Sequence, residues 1–207
     1  MSALKKHGAL GSEDGVLLAL GIHLNPEVAA ETAAGIVPVV RAYAFVEQWL
    51  RTADRPDISR RILPFIQSWP RAFIDRVAAE GQAWDLRDLC DAYLELVPSR
   101  NHGLDLLPLL EHLFPQRMRA ALPDSQVKGG RPAWHYRLPE TTLGDETWSF
   151  AYEWNRWVLV ERVAADSRLL NDLAEAWRAH RSALTTIRPD WTRDVSDLLE
   201  GAAIWDG

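Results

Sequence analysis

Four side chains that can hold an anion or a metal recur at two-residue spacing: His23 with Asn25, and His135 with Arg137. Successive side chains of an extended chain point to opposite faces, so each pair shares one face. An imidazole can ligate a divalent metal or bond a phosphate oxygen. A guanidinium forks onto phosphate or carboxylate. If the two stretches are neighbours in one antiparallel sheet, all four groups line a single patch. The polar loop Ser99-Arg100-Asn101-His102-Gly103 adds Arg100 and Asn101, and the basic run Lys128-Gly129-Gly130-Arg131 can add Lys128 or Arg131. Such a patch is cationic and reads as an anion site, with a nucleotide phosphate as a sensible ligand. Plainer readings stand beside this one. A strand histidine is more often a hydrogen-bonded structural residue than a ligand, and Asn25-Pro26 is by itself a strand-to-turn signal. Arg100 can answer a helix C-terminus, and 132–140 can be an edge strand with two solvated polar residues.

The elements that must position these groups follow from periodicity. Residues 132–140 form a proline-bracketed strand, with Trp134, Tyr136 and Leu138 opposite His135 and Arg137. Residues 16–25 form a second strand, apolar on both faces at first and alternating at its end, stopped by Pro26. Residues 3–10 read as the end of a helix. The apolar spacing of Val39, Ala42, Tyr43, Val46 and Leu50 predicts a helix over 28–53, broken or kinked at Pro38. Residues 60–65 are a connector. Further helices are expected at 70–79, from an Asp85 cap to Val97, at 115–122, from Asp145 to Ala165, and over 168–182 after Asp166. The apolar run 104–110 leads into His112-Leu113-Phe114, ahead of the 115–122 helix, and 189–207 holds a weaker amphipathic segment. In the 145–165 helix, Trp148, Tyr152, Asn155 and Leu159 form one stripe, with Ala151, Trp154, Val158 and Arg162 beside it. Glu153 and Glu161 read as solvated positions or as partners of Arg156 and Arg162. Helix outweighs strand, so the fold class is α+β and helix-rich, with a partial antiparallel sheet.

Composition bounds the rest. The 207 residues are 47% hydrophobic and 25% charged, which is ordinary for a soluble globular protein. A net charge of −6 points away from nucleic acid as the main partner. The ten tryptophans recur at helical spacing and read as packing residues, each with one N–H that needs an acceptor. The single cysteine, Cys90, lies in an apolar-periodic run and reads as a buried structural thiol. A framework of disulfides within one chain is impossible, which fits a reducing cytoplasm. The first residues lack the apolar core of a signal peptide, and no stretch approaches a membrane span. Phosphate-loop, dinucleotide, serine-elbow and paired-cysteine metal motifs are absent.

Four blocks together carry a resemblance: Gly-Ile-His-Leu-Asn-Pro-Glu (21–27), Ser-Arg-Asn-His-Gly-Leu-Asp-Leu-Leu-Pro-Leu-Leu (99–110), His-Tyr-Arg-Leu-Pro (135–139) and Glu-Trp-Asn-Arg-Trp-Val (153–158). In order and spacing the chain resembles the amidoligase family, carboxylate–amine ligases with a glutamine-synthetase-like catalytic fold. The resemblance implies ATP-dependent amide formation through an acyl phosphate, with ATP and Mg²⁺ as cofactors. It implies small-molecule or peptide carboxylate and amine substrates; charge and hydropathy point to neither nucleic acid nor membrane as partner. Carried over by position, Arg137 and Arg100 are the expected catalytic, phosphate-holding residues. Asn25, Asn101 and Arg137 would contact the cofactor, and His23 and His135 would face the metal. Position 102 departs from the family in bearing His in place of a second Arg. The family's strand of paired glutamates has no counterpart in residues 1–20. The expectation is therefore a single domain over 1–207 forming the C-terminal half of the catalytic domain, with 1–165 as sheet-and-helix core and 166–207 as a helical tail. A further chain could supply the other half. A second reading, from a different class, is a non-catalytic helical binding module that retains a remnant of the ligase fold.

Overall fold

The computed structural model describes residues 23–52, 66–124, 126–137, 149–183 and 190–204. The expected helix end at 3–10, most of the strand at 16–22, the connector at 60–65 and the strand end at 138–140 lie outside these residues.

The hub is α1, Ala33–Thr52, which is apolar almost all round and buried from Ile36 to Leu50 on most of its faces. A helix of that kind sits inside a protein, not on its surface. Against it pack α2 (Arg71–Glu80), α3 (Leu86–Leu96), α6 (Phe150–Ala165), α7 (Ser167–Ser182) and α8 (Trp191–Gly201). Two short helices, α4 (Leu107–Leu113) and α5 (Pro115–Ala121), pack on each other beside the sheet.

Local chemistry explains most boundaries. Asp85 accepts from Arg87 N–H and Asp88 N–H while Asp88 answers the Asp85 N–H, a complete capping box for α3. Asp166 and Asp190 cap α7 and α8 through their side chains. Several expectations change. The chain from His23 stays extended as far as Val28, whose N–H donates to the Pro132 carbonyl, so α1 begins at Ala33 and not at residue 28. Pro38 lies inside α1 without breaking it; it falls soon after the first turn, where its missing N–H costs a single bond to the Ala34 carbonyl. Ser149 caps α6 through its side chain, so the helix starts at Phe150, and 145–148 lie outside the described residues. The buried residues of α6 are Glu153, Arg156, Trp157, Leu159, Val160 and Val163; Leu159 belongs to the expected stripe, and the others lie beside it. Trp154 is left 40% exposed, against an exposed Phe150. Glu153 is buried and pairs with Arg156 at 3.2 Å; it is not a solvated position.

Three extended segments lie side by side. β2 (His135–Tyr136) is central, with β1 (Leu104–Asp105) antiparallel on one edge and residues 23–28 antiparallel on the other, through Leu24↔Tyr136 and Glu27↔Ala133. The inner face is Leu24, Tyr136 and Leu104, all buried. Tyr136 meets Tyr43 of α1 edge-on at 6.2 Å and lies 5.3 Å from Trp157 of α6. The patch is thus one layer on a helical layer, and its other face carries the polar side chains.

Several of the described tryptophans are packing residues with satisfied N–H groups. Trp69 donates to the Leu104 carbonyl, Trp177 to Asp75, Trp191 to the Phe45 carbonyl and Trp157 to Glu161. Cys90 is fully buried, and burial pushes its thiol up to about 11, which leaves it inert.

Gly103, beside β1, faces a tight pocket. A Cβ there would stand 2.3 Å from the Tyr43 hydroxyl and within 3.1 Å of Glu47 Oε1. Gly103→Ala is expected to lower unfolding free energy by about 2 kcal/mol, read from urea melts; an unchanged midpoint would show that Tyr43 yields freely.

Candidate functional site

Continuing the register of the three segments gives two rows of side chains on the outer face. His23 and Arg137 form one; Asn25, His135 and Asp105 form the other, while Gly103, just before β1, turns inward towards Tyr43 and Glu47. The four groups singled out by spacing therefore share one face of one sheet. His23 and Asn25 are exposed, while His135 and Arg137 are half-buried.

Arg100 enters the same patch from the loop before β1. Its Nε–H donates to Asp105 Oδ2 at 3.3 Å and its Nη1–H to the Gln126 carbonyl at 3.0 Å. Arg137 Nη1–H donates to the Arg100 carbonyl, and Arg137 N–H to the Gly103 carbonyl. The two guanidinium-bearing segments are therefore fastened to each other. Arg131 stands close enough for its charge to act on His135.

Burial first, then the charges of Arg100, Arg137, Arg131 and His23, hold His135 down to about 4. Burial and Arg137 also lower His23. His135 is thus a neutral imidazole at pH 7 inside a cationic cluster. Asp105 is the carboxylate of the patch: burial pushes it above the usual range, opposed by Arg100, the Leu107 N–H bond and Arg137.

Two buried polar atoms of the patch, His135 Nε2 and Arg137 Nε, have no hydrogen-bond partner among the described residues. Buried polar atoms are normally satisfied, so a pair of them on one cationic face marks a place for a polar ligand. The donor set suits an oxyanion: forked N–H groups and an imidazole, positively charged, part-desolvated. It does not suit Mg²⁺. That ion takes oxygen ligands in octahedral array, whereas His23 and His135 offer nitrogen among guanidinium charges, and both oxygens of Asp105 are taken. Among the described residues no group of three or more His, Cys, Asp or Glu is placed to hold a metal.

The other expected residues are less involved. Asn101 is exposed; its backbone carbonyl accepts from Gln67 N–H and its N–H donates to Ser99, and among the described residues its side chain makes no hydrogen bond to the patch. His102 is buried away from the face, with Nδ1–H donating to the Ser68 carbonyl at 3.2 Å. The Lys128–Arg131 run is pinned, because Lys128 and Gly129 N–H groups both donate to the Glu111 carboxylate. A Cβ on Gly130 would stand 2.3 Å from the backbone nitrogen of His112.

Two contributors are not visible from spacing. Asp105 carried one signal, a lone acid in an apolar run. Glu47 carried none. It is 1% exposed on α1, and accepts from Arg51 through Oε1 and from Trp69 N–H through Oε2.

The family model described as "Putative amidoligase enzyme" matches residues 1–159. No curated protein and no solved structure matches the chain.

Acid should act through the patch. A histidine whose folded value lies below its unfolded 6.5 stabilises the fold above pH 6.5, and that contribution is lost as pH falls towards 4. Wild type is expected to lose urea resistance between pH 7 and pH 5, and His135→Gln to lose measurably less. Equal losses in both proteins would remove His135 from the acid response.

Proposed function

The chain belongs to the amidoligase family, and we propose that it is an ATP-dependent carboxylate–amine ligase whose outer sheet face holds the transferring phosphoryl group. The observation that carries this reading is the convergence of Arg100 and Arg137 on one face with the unpartnered Arg137 Nε and His135 Nε2. We further propose that the three-segment patch is part of a glutamine-synthetase-like sheet.

In this reading a substrate carboxylate oxygen attacks the γ-phosphorus of ATP, the bond to the bridging oxygen breaks, and ADP leaves. The amine then attacks the acyl carbon of the mixed anhydride and loses a proton. The carbon–oxygen bond to phosphate breaks, giving an amide and inorganic phosphate. Negative charge spreads over the equatorial phosphoryl oxygens during the first step, and fixed guanidinium groups in a part-dried site stabilise it. Arg100 and Arg137 do this, and their backbone linkage fixes their separation. His135 offers a neutral ring for a hydrogen bond to a phosphate or to the incoming amine. Asn25 and His23, on the exposed side of the patch, bound the face where nucleotide and acid enter. The Mg²⁺ expected from the resemblance finds no fitting donors among the described residues, so no step is routed through it. Small-molecule or peptide acids and amines are the proposed substrates.

The same donor set supports the second reading, a non-catalytic module that binds a phosphate-bearing ligand on the remnant of a ligase fold. Turnover separates the two. With ATP and mixed carboxylates and amines, the ligase releases ADP only when both acid and amine are present, whereas the module binds ATP and forms no amide. Arg137→Ala should weaken ATP binding by about tenfold or more in calorimetry, the scale of one charge-assisted hydrogen bond. An unchanged affinity would remove the phosphate site from both readings.

A further inference from the structure

The anion face contains one group that its electrostatics does not call for. Asp105 is a carboxylate, 1% exposed, directly opposite His135 in the ladder and beside two arginines. A buried carboxylate costs desolvation, and its charge repels an incoming phosphate. Its surroundings show what it does in return. Oδ1 accepts the buried Leu107 N–H at 3.0 Å, at the start of α4. Oδ2 accepts Arg100 Nε–H at 3.3 Å. Arg100 is otherwise tied through Nη1 to the Gln126 carbonyl, and its Nη2 makes no hydrogen bond among the described residues. Its carbonyl in turn receives the Arg137 guanidinium.

We propose that Asp105 is a positioning residue, holding Arg100 by its Nε edge so that the opposite edge of the guanidinium is presented to the phosphate. This rests on the reading of the face as a phosphate site. A long arginine side chain left free samples many rotamers, and each must be frozen on binding. Anchoring one edge before binding removes that cost, and doing so with the residue that also accepts the first N–H of α4 ties Arg100 to that helix. The neighbouring backbone bond carries the same order to Arg137.

The sign of one substitution tests this. Asp105→Asn keeps the shape but has a single acceptor oxygen for two donors. The buried Leu107 N–H retains it, and the part-exposed Arg100 is released to water. If Asp105 acts only as a charge, its removal makes the face more positive and phosphate binds more tightly. If it positions Arg100, binding weakens.

Calorimetric affinities for ATP and for inorganic phosphate are measured on wild type, Arg100→Ala, Asp105→Asn and the double variant. We expect Asp105→Asn to weaken ATP by about fivefold, the scale of one lost hydrogen bond, and to add nothing on the Arg100→Ala background. Tighter binding, or an equal loss with Arg100 already removed, overturns the proposal while leaving the phosphate site standing. An Arg100→Ala variant that binds like wild type overturns both. If Asp105→Asn does not fold, the wild-type chain still decides. The Arg100 Nε–H must resist exchange with solvent in its NMR spectrum, and rapid exchange there contradicts the anchoring.

Discussion

Everything near the site hangs from one buried carboxylate on the central helix. Glu47 accepts two hydrogen bonds from Arg51, four residues on, and one from the backbone N–H of Trp69. Arg51 also donates to the carbonyls of Ile66 and Gln67. Gln67 then bridges to the loop that carries Arg100, donating to the Asn101 carbonyl and accepting from Gly103 N–H. Gly103 accepts from Arg137 N–H. A continuous line of hydrogen bonds thus runs from the core of α1 to the guanidinium-bearing strand. Losing one partner of a buried pair costs roughly 3–5 kcal/mol, so the line is strong at its root. Gly103 is forced by the same packing, because a side chain there would displace the Tyr43 hydroxyl and the ion pair.

The outer face answers that inner one. A protein of net charge −6 gathers Arg100, Arg131, Arg137 and two histidines around a short three-segment patch, with Asp105 as the interior counter-charge. Separated guanidinium groups in water would bind phosphate weakly and be screened by salt. Held by backbone bonds and partly dried by β1 and the 126–131 loop, they are preorganised for it. The same crowding keeps His135 neutral, so that the ring can offer a lone pair or an N–H without adding a further charge to the cluster.

Period-two alternation made the site legible. Leu24 and Tyr136 had to face the core for the chain to bury them, and that alone put His23, Asn25, His135 and Arg137 on the other side. Helices with local signatures were equally legible: the Asp85 capping box and the Asp166 cap are written in adjacent residues. What escaped was set by tertiary contact. β1 is two residues long, too short for a pattern, and is a strand because Leu104 finds Tyr136. The extended run continues through Pro26 to Val28 because residues 132–134 accept it as a partner, overriding the helical spacing that follows. The buried face of α6 includes Glu153 and Arg156, whose pairing is one of two readings of the sequence and whose burial is not legible from it. Glu47 looks like any helix-surface acid. Its burial depends on Arg51, Trp69 and Gln67 arriving from elsewhere in the chain.

The central claim is that this outer face binds an oxyanion. The direct test is NMR shift mapping of the whole chain during a titration with pyrophosphate. The account predicts shifts concentrated on His23, Arg100, His135 and Arg137, side-chain Nε–H signals of both arginines included, that grow to saturation. Shifts scattered over the surface arginines, or confined to another part of the molecule, would contradict it.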